Sequence, residues 1–320
     1  RDLHAAYCSR SGEMRPALQG VGFEVRQGEF LGIVGESGSG KSTLAATILR
    51  LLPANGNITK GSILFCGKDI LQANSEELAK IRGGSISLIF QEPSAALHPT
   101  MNIGNQIEEI VSAHESLSAR SRREKAHHAL SSLFESDVER IYSSYPHQLS
   151  GGQRQRVLIA QAIVCQASLI VADEPTTSLD PATQREILSL FQELRQRLGL
   201  TLILITHNPA LLVNRADRIL VLYAGKVVES GPATELLSSP QHPYTRALLQ
   251  CIPPLHDDGE VARKTSLPVI PGDPPNPSLD FPGCRFEPRC ADRMDVCRER
   301  APGEVKLSEA HSVSCFNVGG

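Results

Sequence analysis

An α/β protein built on a parallel sheet is the fold class this sequence predicts, and three observations predict it. Short apolar, β-branched runs alternate along the chain with helix-period stretches, which is how strands joined by crossover helices read. The run Phe30–Val34 passes straight into a glycine-rich turn and then into a helical pattern over residues 42–52. The runs at 86–90, 169–172, 202–205 and 218–222 are mostly apolar rather than alternating, as strands covered on both faces are.

Taken in order, an alternating run at 17–25 reads as a strand that places Phe23 inward, and Phe30–Val34 as the next strand. Between residues 103 and 145 the β-rich runs give way to polar, helix-favouring sequence, so a helical insertion of about 103–165 is expected within a main domain of 1–251. A long helix is read over 181–197. After Cys251 prolines crowd the chain, which favours irregular backbone, so 252–281 is read as a linker and 282–320 as a small cysteine-containing module. No internal repeat is evident, so the chain supplies one copy of whatever unit it encodes.

Composition removes several classes. With 320 residues, 41% of them hydrophobic and 21% charged, the chain has the make-up of a folded globular protein rather than a disordered or fibrous one. Its apolar runs are far shorter than the roughly 20 residues that span a bilayer. A net charge of −3 argues against a general nucleic-acid surface. Residues 1–10 carry no basic-then-apolar export pattern, and a cytosolic protein is expected, although the sequence begins with Arg1 rather than Met.

The chemistry begins at GESGSGKS: Gly35, Glu36, Ser37, Gly38, Ser39, Gly40, Lys41 and Ser42, followed by Thr43. It fits GxxxxGK[ST], in which backbone N–H groups at a helix start wrap phosphates. Lys41 is expected on the β- and γ-phosphates and Ser42 on Mg²⁺, with Gly38 and Gly40 allowing close backbone approach. LIVADE, ending in Asp173 and Glu174, supplies an apolar strand with two acids; Asp173 suits the Mg²⁺ shell and Glu174 a general base on water. Adjacent acids after a strand more often cap a helix, so their weight comes from the phosphate loop upstream. LSGGQ, with Ser150, Gly151, Gly152 and Gln153, opens a second helical stretch suited to an anion.

These three segments, in this order and spacing, closely resemble ABC-type ATPases. The resemblance implies a RecA-like parallel-sheet ATPase core with an antiparallel β subdomain and a helical signalling subdomain, with ATP and Mg²⁺ as cofactors. It further implies that LSGGQ caps the γ-phosphate of ATP held by an opposing subunit. Gln91 matches the glutamine loop that senses Mg²⁺ and the membrane subunit, and Ser178, Leu179 and Asp180 the dimer-contact loop. His207 matches the switch histidine that holds the γ-phosphate, and Tyr7 stands where the family stacks an aromatic ring on adenine.

QEPSAALHP from Gln91, YPHQLSGGQRQRVLIAQAI from Tyr145, ADEPTTSLD from Ala172 and SPQHPYTRALL from Ser239 look like the ATPase subunits of oligopeptide, dipeptide and nickel importers. The tail, IPGDPPNPSLDFPGCRFEPRC, resembles that subfamily's carboxy-terminal extension. The partners so implied are a second ABC ATPase subunit, identical or homologous, two transmembrane permease subunits and a periplasmic or extracellular solute-binding protein, with the chain peripheral on the cytoplasmic side of the inner membrane. A soluble ABC ATPase and an exporter motor are the competing readings; the coiled-coil insertions or paired cassettes usual in the former are missing. His98 replaces the usual Asn, Asn208 the usual Asp, and Pro181 follows the dimer-contact loop; none removes a group hydrolysis needs.

Four of eight cysteines, Cys284, Cys290, Cys297 and Cys315, fall in the carboxy-terminal module. Disulfides are disfavoured in a cytosolic protein, and so small a module gains most from a metal staple. Four thiolates suit a [4Fe-4S] cluster, expected ahead of Zn²⁺, for which His311 is a substitute ligand. Arg285 and Arg289, beside the first two thiols, are expected to favour their thiolate forms.

Overall fold

The computed structural model describes residues 1–251, 268–275 and 281–318. They fall into two compact units, one of residues 1–24, 30–68 and 206–320, the other of 25–29 and 69–205. Most of the proline-rich stretch expected as a linker, 252–267 and 276–280, lies outside the described residues.

The first unit holds two sheets. In one, the strands Met14–Val21, Leu3–Cys8 and Gly56–Lys60 lie side by side in that order, all antiparallel. Pro16 is accommodated because Met14–Val21 is an edge strand, where a missing N–H need break no ladder bond. That strand ends at Val21, so Phe23 falls beyond it and is only half-buried, not an inward strand residue as its alternation suggests. In the other, the order is Val305–Lys306, Ser312–Val313, Lys226–Pro232, Arg218–Tyr223, Phe30–Val34. Phe30–Val34 and Arg218–Tyr223 pair in parallel and are buried almost throughout, while the remaining pairs are antiparallel. The helix after the glycine turn runs over Lys41–Ile48, shorter than the 42–52 expected. It stops because Arg50 turns left-handed at φ 52°, and Pro53 then bars continuation.

The second unit is built on three parallel strands, with Leu169–Asp173 between Ile86–Ile89 and Thr201–Thr206. Helices Ile103–His114, Ala119–Ser131, Val138–Ser143 and Gly151–Ile163 occupy the polar stretch, the first two capped by Asn102 and Ser118. Pro181–Leu198 buries Ile187, Leu188, Phe191 and Leu194, a helical-period stripe, and ends at left-handed Gly199. Among the described residues no helix is long and apolar enough to cross a membrane.

The carboxy-terminal module has almost no regular structure: short helical turns at Glu287–Arg289 and Val296–Glu299 and two two-residue strands. It shares the core of the rest of the first unit, where buried Phe286 packs against Tyr223, Tyr244 and His242 with ring centroids 5.3, 5.4 and 6.0 Å apart. Burial of His242 lowers its pKa to about 4, so its ring is neutral in this cluster.

Candidate functional site

The phosphate loop follows the strand Phe30–Val34 because glycine alone fits its path. A Cβ on Gly35 would collide with the Leu222 carbonyl oxygen, and Gly40, at φ 103°, would place one 2.7 Å from the Ala17 oxygen. Gly38 is left-handed at φ 77°, and among the described residues nothing lies within 4 Å of its missing Cβ, so its backbone is open to close approach by a ligand. The helix that follows receives no side-chain cap from Gly40, which leaves its first N–H groups available to a ligand. Lys41 is buried, and its ammonium donates to the carbonyls of Gly35 and Glu36, both at 2.9 Å. The buried Ser39 hydroxyl has no hydrogen-bond partner among the described residues. Open space over Gly38, an orphaned hydroxyl, uncapped N–H groups and a cation turned toward the loop fit a polyphosphate. The exposed Ser42 hydroxyl, next to Lys41, is a hard oxygen donor of the kind Mg²⁺ prefers.

Two other expected residues belong to the same unit. Tyr7 reaches the loop's helix, its hydroxyl 3.1 Å from Thr43 Oγ1, and lines a cavity of about 240 Å³ with Glu36, Ser37, Gly38 and Ser39. Phe23 is absent from that lining. His207 is exposed just past Thr201–Thr206. Asn208 after it caps the short helix Pro209–Leu212 by accepting from the Ala210 N–H at 3.0 Å, a task Asp and Asn perform equally.

The second unit holds the rest. Asp173 is buried at the end of its strand, and Glu174 is half-buried with φ 46°, a left-handed conformation costing a non-glycine residue about 1–2 kcal/mol. Its N–H donates to Ile205 at 2.9 Å and its carboxylate accepts from the Thr177 hydroxyl at 2.8 Å. Ser150 and Gln153 form a reciprocal capping box on Gly151–Ile163. Gly151 and Gly152 face the start of the next long helix: added Cβ atoms would lie 3.3 Å from Leu179 Cδ2 and 2.7 Å from Thr183 Cγ2. Asp180 caps that helix through the N–H groups of Ala182 and Thr183 and the Thr183 hydroxyl, which hold its carboxyl below the usual range. Pro181 sits at the first helical position, where its lacking N–H costs nothing. Gln91 is exposed beyond Ile86–Ile89.

The carboxy-terminal thiols depart from expectation. Cys284, Cys290 and Cys315 all have raised pKa values, Cys284 to about 11, because burial penalises the thiolate, and neighbouring thiols add to it. The two arginines expected to favour thiolates are engaged elsewhere: Arg289 forms a two-pronged ion pair with Glu36, at 2.7 and 3.0 Å, and Arg285 donates to the Ala224 carbonyl at 2.8 Å. His311 is likewise withdrawn as a ligand, its Nε2 2.9 Å from the buried Glu229 carboxylate. All eight cysteines are unbridged, and among the described residues no group of three or more His, Cys, Asp or Glu has metal-binding geometry.

Sequence reasoning missed Arg289, Arg285 and Tyr244 as neighbours of the phosphate loop. Only the acid inside GESGSGKS hinted that a distant cation was needed, and nothing local says which one.

Comparison with known proteins agrees with this geometry. Residues 18–177 match the family described as ABC transporter, and residues 228–297 match the oligopeptide/dipeptide transporter carboxy-terminal region. The chain is 40% identical over 317 residues to the dipeptide transport ATP-binding protein DppD of Bacillus subtilis (strain 168), covering 99% of this chain and 93% of that protein. It is also 40% identical over 317 residues to the oligopeptide transport ATP-binding protein OppD of Escherichia coli (strain K12), covering 99% and 91%. The dimeric post-hydrolysis structure of the ATP-binding cassette MJ0796 with ADP and Pi superimposes with a TM-score of 0.64 at 31% identity, over 73% of this chain and 97% of that one. With a phosphate loop, a strand-end acid pair and a capped LSGGQ helix in place, the chain belongs to the ABC transporter family as an ATP-binding, ATP-hydrolysing subunit.

Proposed function

We propose that this chain is the motor of an importer for oligopeptides or dipeptides, nickel being the alternative cargo. The observation that carries the reading is the union, in one chain, of the ATPase cassette and a carboxy-terminal region of the oligopeptide/dipeptide transporter type. Relatives named for dipeptide and oligopeptide transport, matching over nearly the whole chain, support it. In this reading the N–H groups of residues 35–43 and the Lys41 ammonium hold the phosphates and Tyr7 stacks on adenine. Ser42, Asp173 and Gln91 hold Mg²⁺, which when bound offsets charge on the phosphate oxygens. Glu174 accepts the proton of the attacking water, oriented by Thr177, and His207 donates to the γ-phosphate.

Residues 150–153 and Asp180 serve the ATP of a second ATPase subunit, so one cassette is half of each site. The remaining partners are two permease subunits, which hold the chain at the cytoplasmic face of the membrane, and an external solute-binding protein. Cys284, Cys290, Cys297 and Cys315 are proposed as a metal-binding set, [4Fe-4S] ahead of Zn²⁺, supported by the electrostatic influence of the other three thiols on Cys284; ligation must draw the thiols together and displace their protons. Metal and sulfide analysis after anaerobic purification tests that part.

Co-purified with its permeases in proteoliposomes, the chain is expected to drive ATP-dependent uptake of a labelled dipeptide, and Glu174→Gln to stop it. Alone, its turnover per subunit should rise with protein concentration. Full turnover by a verified monomer would overturn the two-subunit site, and uptake of nickel without peptide would overturn the cargo.

A further inference from the structure

The phosphate loop is not held by its own neighbourhood alone. Glu36, its second residue, is gripped by Arg289, which is 253 residues away in sequence and only 5% exposed in its side chain. Arg289 is itself fixed on every side: its Nε donates to the Pro271 carbonyl at 2.8 Å, an Nη group lies 3.3 Å from the Tyr223 hydroxyl, and its guanidinium stands 5.9 Å from the Tyr223 ring centre. A planar fork locked in this way holds a carboxylate in one place and one orientation. The same segment of loop is pinned from behind, where the Glu36 N–H donates to the Tyr244 hydroxyl at 2.8 Å.

The far end of the loop is tied to the same module. Arg285 donates to the Ala224 carbonyl at 2.8 Å, and the adjoining Gly225 N–H donates to the Ser39 carbonyl, also at 2.8 Å. Arg285, with Pro274 and Pro275 just ahead of the module, lines the same cavity as Tyr7 and residues 36–39.

We propose that the carboxy-terminal module is a working part of the nucleotide site, with Arg289 a positioning residue that acts through Glu36 to hold the phosphate loop in its ATP-receiving conformation. The module therefore does more than decorate the cassette: detaching it should loosen the loop, and filling the loop should tighten the module, since the coupling is reciprocal. The inference rests on residues 35–43 being the ATP site, which Lys41→Ala tests separately.

The experiment is a set of ATP dissociation constants on the full chain, measured by calorimetry below the melting transition, for Arg289→Met, Glu36→Gln, the double variant and Arg289→Lys. Arg289→Met and Glu36→Gln should each weaken ATP binding by about tenfold, the double by no more than the worse single, and Arg289→Lys by an intermediate factor, because both groups act through one contact. The double variant leaves no uncompensated buried charge, so it separates loop positioning from simple stapling. If it folds and binds ATP within twofold of the parent, the proposal fails; multiplying single effects would overturn it as well. Amide exchange of residues 284–290 gives a second readout that a merely structural pair would not move. ATP should slow it in the parent and leave it unchanged in Glu36→Gln, and equal protection in both would overturn the coupling.

Discussion

Two glycine-containing helix starts in this molecule, both proposed to meet an anion, are built on opposite principles. Residues 35–42 reach a helix whose N-cap, Gly40, has no side chain to cap it with; among the described residues the loop leaves a buried Ser39 hydroxyl without a hydrogen bond, and it turns Lys41 back on its own carbonyls. Residues 149–153 reach a helix whose start is already satisfied, by the Ser150–Gln153 capping box. The first is therefore incomplete until a ligand arrives and needs outside support, which Arg289 and Tyr244 give it. The second is complete in itself, and its glycines are kept small by Leu179 and Thr183 rather than by backbone conformation. The lesson is that similar glycine-rich sequences can mark either a site that waits for a ligand or a finished surface offered to one.

Substitutions can break this contrast. The largest effect should come from Glu174→Gln, which removes the proposed base while sparing the loop: turnover is expected to fall by about 10²–10⁴-fold with ATP affinity kept, as steady-state hydrolysis and calorimetry would report. Parental hydrolysis in that variant would displace Glu174 from its role. Lys41→Ala removes charge-assisted contacts of roughly 1.5–3 kcal/mol each, so ATP affinity should drop about 100-fold by calorimetry. Near-parental affinity would mean that the loop does not wait for phosphate.

Ser150→Ala should behave oppositely, leaving ATP affinity of the isolated chain intact while lowering stability by ~1 kcal/mol through the lost cap, visible in denaturant melts. A loss of ATP affinity there would erase the distinction between the two helix starts. The smallest effect concerns Asp180. Thr183 and the helix N–H groups depress its carboxyl in the folded state, so its stabilisation is present above the unfolded pKa near 3.8 and fades as pH falls through the folded value. Thr183→Val should move that fading to higher pH in acid melts; an unmoved acid limb would mean that the cap contributes nothing.

Much of this was legible along the chain, for a local reason. Phe30–Val34 reads as a strand because four of its five residues are large and apolar, two of them β-branched, and the glycines at 35 and 40 need no partner to announce a tight path. Ser150 and Gln153 cap a helix by reaching one turn away. Reading failed where the deciding contact was distant or the stop was conformational: the helix beginning at Lys41 keeps its pattern past Ile48, yet Arg50 turns left-handed, and Phe23 alternates correctly yet lies outside its strand.

The sequence by itself determined the chemistry of this protein: a phosphate loop, a strand-end acid pair and an LSGGQ helix, each encoded within about ten residues whose backbone and side chains answer one another. Only the tertiary structure decided what supports that chemistry. Arg285 and Arg289 stand next to thiols in sequence, and adjacency alone points their charge at sulfur. In the folded chain burial keeps Cys284 protonated, while the desolvated Arg289 needs a full counter-charge and finds it in Glu36, 253 residues away. Adjacency in sequence fixes which residues are near; the cost of burying an unpaired charge fixes which of them must meet.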